Sequence, residues 1–198
     1  MGQKDTLLDS FPYPMITTIR GEPNYETIRE LQRKLSANAA SVPSNLGGGQ
    51  HGYLALTVKP EVYFNLTGNV FTPPTDPVPM PNIVPGMDTA QAAMVEKQHK
   101  EAKRVFSEYT GMQNALKQLI VGAIESTYIR SLQHSIVGFL NVSPLIFLIY
   151  LYNTYGDITP SDLADNATRI AAPYDVTAPI ETLWEQIEDT IEYADAGN

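Results

Sequence analysis

Ser36–Val58 reads SANAASVPSNLGGGQHGYLALTV, and the order of its parts decides between a nucleotide fold and a helical one. A helix runs out, Pro43 and Asn45 turn the chain, three glycines follow, and an apolar run closes the stretch. A phosphate-cradling loop needs the opposite order: a strand, then glycines, then Gly-Lys-Ser/Thr opening a helix whose N-terminus receives the anion. Here Gly47, Gly48 and Gly49 precede the apolar run, and no lysine stands among them. The stretch reads as a turn feeding a short strand over 53–58. Nowhere do strands alternate with helices, which excludes a doubly wound nucleotide fold.

Outward from this turn the chain is mostly helical. Before it, Asn24 caps a helix running to Ala39, with Tyr25, Ile28, Leu31 and Leu35 as its apolar stripe. Residues 1–23 are irregular, broken by Pro12, Pro14 and Pro23, with a short β element beginning at Ile16 and Ile19. After Lys59-Pro60, the run Val62–Leu66 fits either a pairing strand or a short helix. Phe71–Gly86 carries Pro73, Pro74, Pro77, Pro79, Pro81 and Pro85, which forbid helix and central strand and predict an extended linker.

From Asp88 the pattern turns helical. Asp88 with Gln91 resembles a capping box for a helix to Tyr109, and Gly111 marks a break. The next helix, from Gln113 to Glu125, turns Leu116, Leu119, Ile120 and Ile124 inward, and a shorter one follows Ser126. Ser143-Pro144 and Thr159-Pro160 are cap-proline starts, and Gly156 is a stop between them. The first of these helices buries Phe147, Leu148 and Leu151. In the last helix Leu183, Trp184, Ile187 and Ile191 recur at helical spacing as core, opposite Glu181, Glu185, Glu188, Asp189 and Glu192.

Charge is unevenly placed. The net charge of −9 arises wholly after residue 130, where only Arg169 faces ten acids; residues 1–130 hold twelve basic and twelve acidic side chains. An acidic third repels phosphate backbones, so RNA contact is expected only through the front of the chain. No charged residue stands between Arg130 and Asp157. Asn141, Ser143 and Pro144 interrupt that segment, which makes it a buried core helix rather than a membrane span of roughly 20 residues. The N-terminus has no apolar core of signal-peptide length. Gly2 and Thr6 match a short lipidation pattern, but Asp5 gives it no basic support.

No catalytic constellation emerges. The absence of cysteine removes disulfides, thiol nucleophiles and zinc knuckles together, and fits a reducing, cytoplasmic setting. Glu96-x-x-His99 has a di-iron bundle spacing, but His51 and His134 lack the second Glu-x-x-His, so no metal or cofactor is expected. Lys97, Lys100, Lys103 and Arg104 share a helix and are candidate contacts to RNA or to a neighbouring subunit. Glu96, Glu101 and Glu108 interleave with them, as on an ordinary salt-laced surface.

Four segments together resemble the Gag protein of copia-type LTR retrotransposons, as found in algae and other protists. They are Ser36–Val58, Glu96–Ala102, Leu151–Gly156 with Ile158-Thr159-Pro160, and Ala178-Pro179-Ile180 opening an acidic helix. The resemblance spans about Ile16 to Ala194 and implies a mainly α, multi-helix bundle like a retroviral capsid. It implies an N-terminal arm over 1–87, with one helix, a short β element and the proline-rich linker, and a helical domain over 88–198, either separate from the arm or packed with it as a single domain. It also implies a non-enzymatic homo-oligomer that encloses the element's RNA, with no membrane partner. Family members continue into a second helical lobe after such an acidic helix and use a zinc knuckle for RNA; this chain carries no knuckle. The alternative reading is a helical interaction module that binds a peptide or protein partner in a groove formed partly by 131–156.

Overall fold

The computed structural model describes residues 3–77, 79 and 88–197. The lipidation pattern at Gly2 and the linker prolines Pro81 and Pro85 lie outside them. Among the described residues the protein is mainly helical and has no sheet. The α-helices are α1 (Gln3–Ser10), α2 (Tyr25–Ser41), α3 (Pro60–Thr67), α4 (Thr89–Ala123), α5 (Ser126–Ile129), α6 (Pro144–Tyr155), α7 (Pro160–Ile170) and α8 (Ile180–Ala196).

The start of α2 follows from local chemistry. The Asn24 side chain accepts from Thr27 N–H while the Thr27 hydroxyl oxygen accepts from Asn24 N–H, so two otherwise unpaired donors are satisfied. Its apolar stripe, Ile28, Leu31 and Leu35, is fully buried or nearly so. Asn38 is also fully buried, and exchanges two 2.8 Å hydrogen bonds with the backbone of Tyr13. That pair holds the irregular segment after α1 against the bundle.

The central element is α4, about 52 Å long at the usual rise per residue. The expected break at Gly111 does not occur, and one helix continues from Thr89 to Ala123. A single glycine costs about 1 kcal/mol of helix stability but keeps its backbone hydrogen bonds. The burial of Met112, Ala115, Leu116, Leu119, Ile120 and Ala123 outweighs that cost. These residues meet α1 and α2 on one side and α6 on the other. In α6, Ser143 caps by accepting from Ile146 N–H, and Phe147, Leu148 and Leu151 point inward. One apolar cluster runs from Phe11 through α2, Tyr53 and Leu56 to α4, Ile124, Ile129 and α6. It joins side chains from both sides of the proline-rich segment.

The predicted strand over 53–58 is a correction: Leu54–Leu56 is a single 3₁₀ turn. Among the described residues no neighbouring strand pairs with it, and an unpaired strand would leave its backbone groups unsatisfied. Tyr53 N–H instead donates to Ala39 O at the end of α2, and Tyr53 and Leu56 are buried. Gly52 makes this close approach; its φ is +50°, and a Cβ would lie 2.3 Å from Val42 O. The β element at Ile16 and Ile19 reduces to one backbone–backbone hydrogen bond, Ile19 N–H to Ala123 O, at an isolated bridge to Ile124. Val62–Leu66 is helical, as part of α3, opened by Pro60 and closed by Gly68 at φ +68°.

The α7–α8 hairpin is attached differently. Thr159 and Asp162 form a capping box at the start of α7, and the Asn166 amide donates to Thr190 O across the hairpin. Its links to α2 are polar and aromatic. Arg29 reaches Asp189 at 2.9 Å and Glu192 at 2.5 Å, Arg169 pairs with Glu26, and the Tyr25 ring sits edge-on to Tyr193 of α8 as well as to Tyr152 of α6. Trp184 and Ile191, expected in the core, are 59% and 51% exposed. The face of α8 turned to α7 instead buries Thr190 and Tyr193, while Leu183 and Ile187 are half-buried.

Two expectations follow. Gly52→Ala forces a Cβ into the α2 carbonyls and should lower the free energy of unfolding in urea by at least about 2 kcal/mol. Arg29→Gln should speed amide exchange in α7 and α8 while changing global stability by no more than about 1 kcal/mol, as exposed ion pairs do.

Candidate interaction surfaces

The glycine loop is a packing device. Gly47 O accepts a 2.8 Å hydrogen bond from the Tyr63 hydroxyl, and Gly47 has φ +58° where a Cβ would strike that hydroxyl. The loop thereby docks on α3. Beside it, a mostly apolar cleft of about 690 Å³ opens between α3, α4 and the start of α6. Phe71 stands between Tyr63 and Tyr109 in this cleft, with ring centroids 5.8 and 6.2 Å away. Tyr109 accepts from the Gln113 amide at 2.9 Å. Burial raises both phenols above their ordinary value. The sequence reading missed this cleft. Its one sequence signal is an aromatic residue, Phe71, two positions before Pro73-Pro74.

The four basic candidates lie on the exposed half of α4, but they do not act alike. Arg104 grips Glu101 with two nitrogens, at 2.6 and 3.0 Å, and reaches Glu108 at 2.6 Å. The guanidinium holds the Glu101 carboxyl below its usual value, and the two carboxylates push Arg104 further up. Lys100 approaches Glu96 at 3.8 Å. Lys97 and Lys103 form no ion pair with the described residues. Arg104 is thus neutralised on its own helix, which leaves Lys97 and Lys103 as the two of these four candidates outside the ion pairs among the described residues. His99 keeps a buried, unpartnered Nε2, but no group of three metal-capable side chains forms among the described residues.

The charge-free segment gives the best-built surface. His134 and Gly138 exchange backbone hydrogen bonds at 2.9 and 3.0 Å, with Gly138 at φ +59°. His134 Nδ1 accepts from the N–H groups of Ile136 and Val137. This tight loop drives Ile136 into solvent, at 86% exposure, with Leu140 at 67%. The loop is anchored underneath. Phe139 packs on Phe147 at 5.1 Å, and Lys117 Nζ donates to Leu140 O at 3.1 Å. Burial holds Lys117 below the usual lysine value. Ile146 and Ile149 of α6 are also exposed. The segment is therefore half core and half display, and no helix in the described residues is long and apolar enough to cross a membrane.

Tyr152 links the core to this part of α6. Its hydroxyl donates to Gln32 Oε1 at 2.8 Å, and the Gln32 amide donates to Thr57 O at 2.9 Å. Burial pushes the phenol up to about 12. Comparison with protein-family models, curated proteins and solved structures gives no match for this chain.

A phenol whose value rises on folding stays neutral in the folded chain while the unfolded chain ionises. Stability should be intact below pH 10 and fall as pH rises from there towards about 12. Tyr152→Phe should flatten part of that alkaline loss when unfolding is followed in urea at a series of pH values.

Proposed function

We propose that the protein is a structural module that works by associating with copies of itself, as the capsid-like part of a copia-type Gag does. The observation that carries this reading is the anchored loop at 134–140. A loop stapled by Phe139 and Lys117, yet displaying Ile136 and Leu140 on a segment without charge, has the form of a contact surface. Each copy carries a net charge of −9, and none of its acids stands in the segment 131–156 that forms this loop, so close approach between copies is opposed less there. Weak contacts of this kind become effective when symmetry repeats them. Enclosure of RNA and the capsid character rest on the sequence resemblance. Of the four basic candidates on α4, Lys97 and Lys103 form no ion pair with the described residues and would be the ones to meet a nucleic acid.

Light scattering coupled to size exclusion, over a wide range of protein and salt concentration, tests the reading. The mass should grow with concentration, and Ile136→Ser with Leu140→Ser should shift association to at least about tenfold higher concentration, as loss of apolar interface anchors does. A strictly monomeric protein at every concentration, or unchanged association in the double variant, overturns it.

A further inference from the structure

The outer face of α8 is organised as a seam. Ile180, Trp184, Ile187 and Ile191 follow one another at spacings of four, three and four residues, the a/d pattern of a coiled coil. Ile180, Trp184 and Ile191 are each more than half exposed, although this is the apolar stripe of the helix. The other side of α8, through Thr190 and Tyr193, is closed by packing within the protein. Along the open border of the stripe run Glu181, Glu188 and Asp195, each seven residues from the next and therefore on one line. Asp189 and Glu192 are held by Arg29, one turn of surface further round. Glu181, Glu188 and Asp195 form no ion pair with the described residues.

We infer that this seam, Ile180–Trp184–Ile187–Ile191 with its acidic border, receives an amphipathic helix from a protein partner that carries a matching row of Lys or Arg. Charge decides the occupant. A partner with basic residues spaced by heptads would place one cation beside each of Glu181, Glu188 and Asp195 while its apolar stripe covers Trp184. A second α8 would bring another all-acidic helix to the same seam, because α8 holds six acids and no base. The basic row of α4 from a second copy is a poor match, since Arg104 is occupied by Glu101 and Glu108 and acids interleave the rest. The seam therefore serves a different partner from the copy-to-copy loop at 134–140, and stands without that reading. Trp184 supplies the central anchor, since tryptophan is enriched among the residues that carry most interface energy.

Trp184 is the sole tryptophan of the chain, so docking can be followed by its emission. The probe is a synthetic helical peptide with leucines at a and d and lysines at e and g. Its controls are the same peptide with glutamates at e and g and a scrambled lysine peptide. Titrations use the full chain bearing Ile136→Ser and Leu140→Ser, so that loss of copy-to-copy association leaves this readout untouched. The expected result is a saturable blue shift with the lysine peptide only. Affinity should fall about tenfold when Glu181→Gln, Glu188→Gln and Asp195→Asn are combined, and at least tenfold in Trp184→Ala read by peptide anisotropy. Four results overturn the proposal: no shift, an equal shift with the scrambled peptide, unchanged affinity in the charge variant, or a blue shift that grows with protein concentration alone. The last would assign the seam to a second copy.

Discussion

The burial of the C-terminal half of α4 is the constraint on which the rest depends. Met112, Ala115, Leu116, Leu119, Ile120 and Ala123 are enclosed by α1, α2 and α6. Each of the larger side chains contributes about 1.5–3 kcal/mol of burial, enough to carry the helix through Gly111. Because α2 precedes the proline-rich segment and α6 follows it, the core cannot form from either part alone. The Asn38–Tyr13 pair and the Gly52 turn are the polar and steric details that let the first part close on the second.

The same arrangement sorts the remaining surfaces. The first half of α4 extends beyond the core and satisfies itself through Arg104, Glu101 and Glu108. The α7–α8 hairpin rests on α2 through Arg29, Arg169 and the Tyr25 ring, contacts that solvent screens more than it screens the core. Among the described residues, apolar side chains that the core does not use are displayed in several places, including Phe64, Leu66 and Val70 on and after α3, the loop around Ile136 and the outer stripe of α8. Unclaimed apolar surface of this kind on ordered elements is what supports the proposed contacts with other chains.

Helix positions and most of the core were legible in the sequence because they follow from local rules. Asn24, Ser143-Pro144 and Thr159-Pro160 open helices where the cap-proline signals stand, and Ile28, Leu31, Leu35, Phe147, Leu148 and Leu151 are buried. The failures share one cause, which is that tertiary context overrode a local pattern. Tyr53–Val58 has a strand composition but no strand to pair with. Gly111 is a breaker only where no core rewards continuation. Trp184 and Ile191 have the periodicity of a buried stripe, and periodicity cannot tell which side of a hairpin helix meets a neighbour. The surfaces were less legible than the fold. Freedom from charge over 131–156 was visible, but the staple of Phe139 and Lys117 that turns Ile136 outward depends on residues far apart in sequence.

Amide hydrogen exchange followed by mass spectrometry tests the central claim most directly. If the buried half of α4 unites the molecule, then α2, residues 112–123 and α6 should share the slowest exchange and open together as denaturant rises. Residues 89–106 and the α7–α8 hairpin should exchange faster. Separate opening of α2 from residues 112–123, or equal exchange along the whole of α4, would contradict the account.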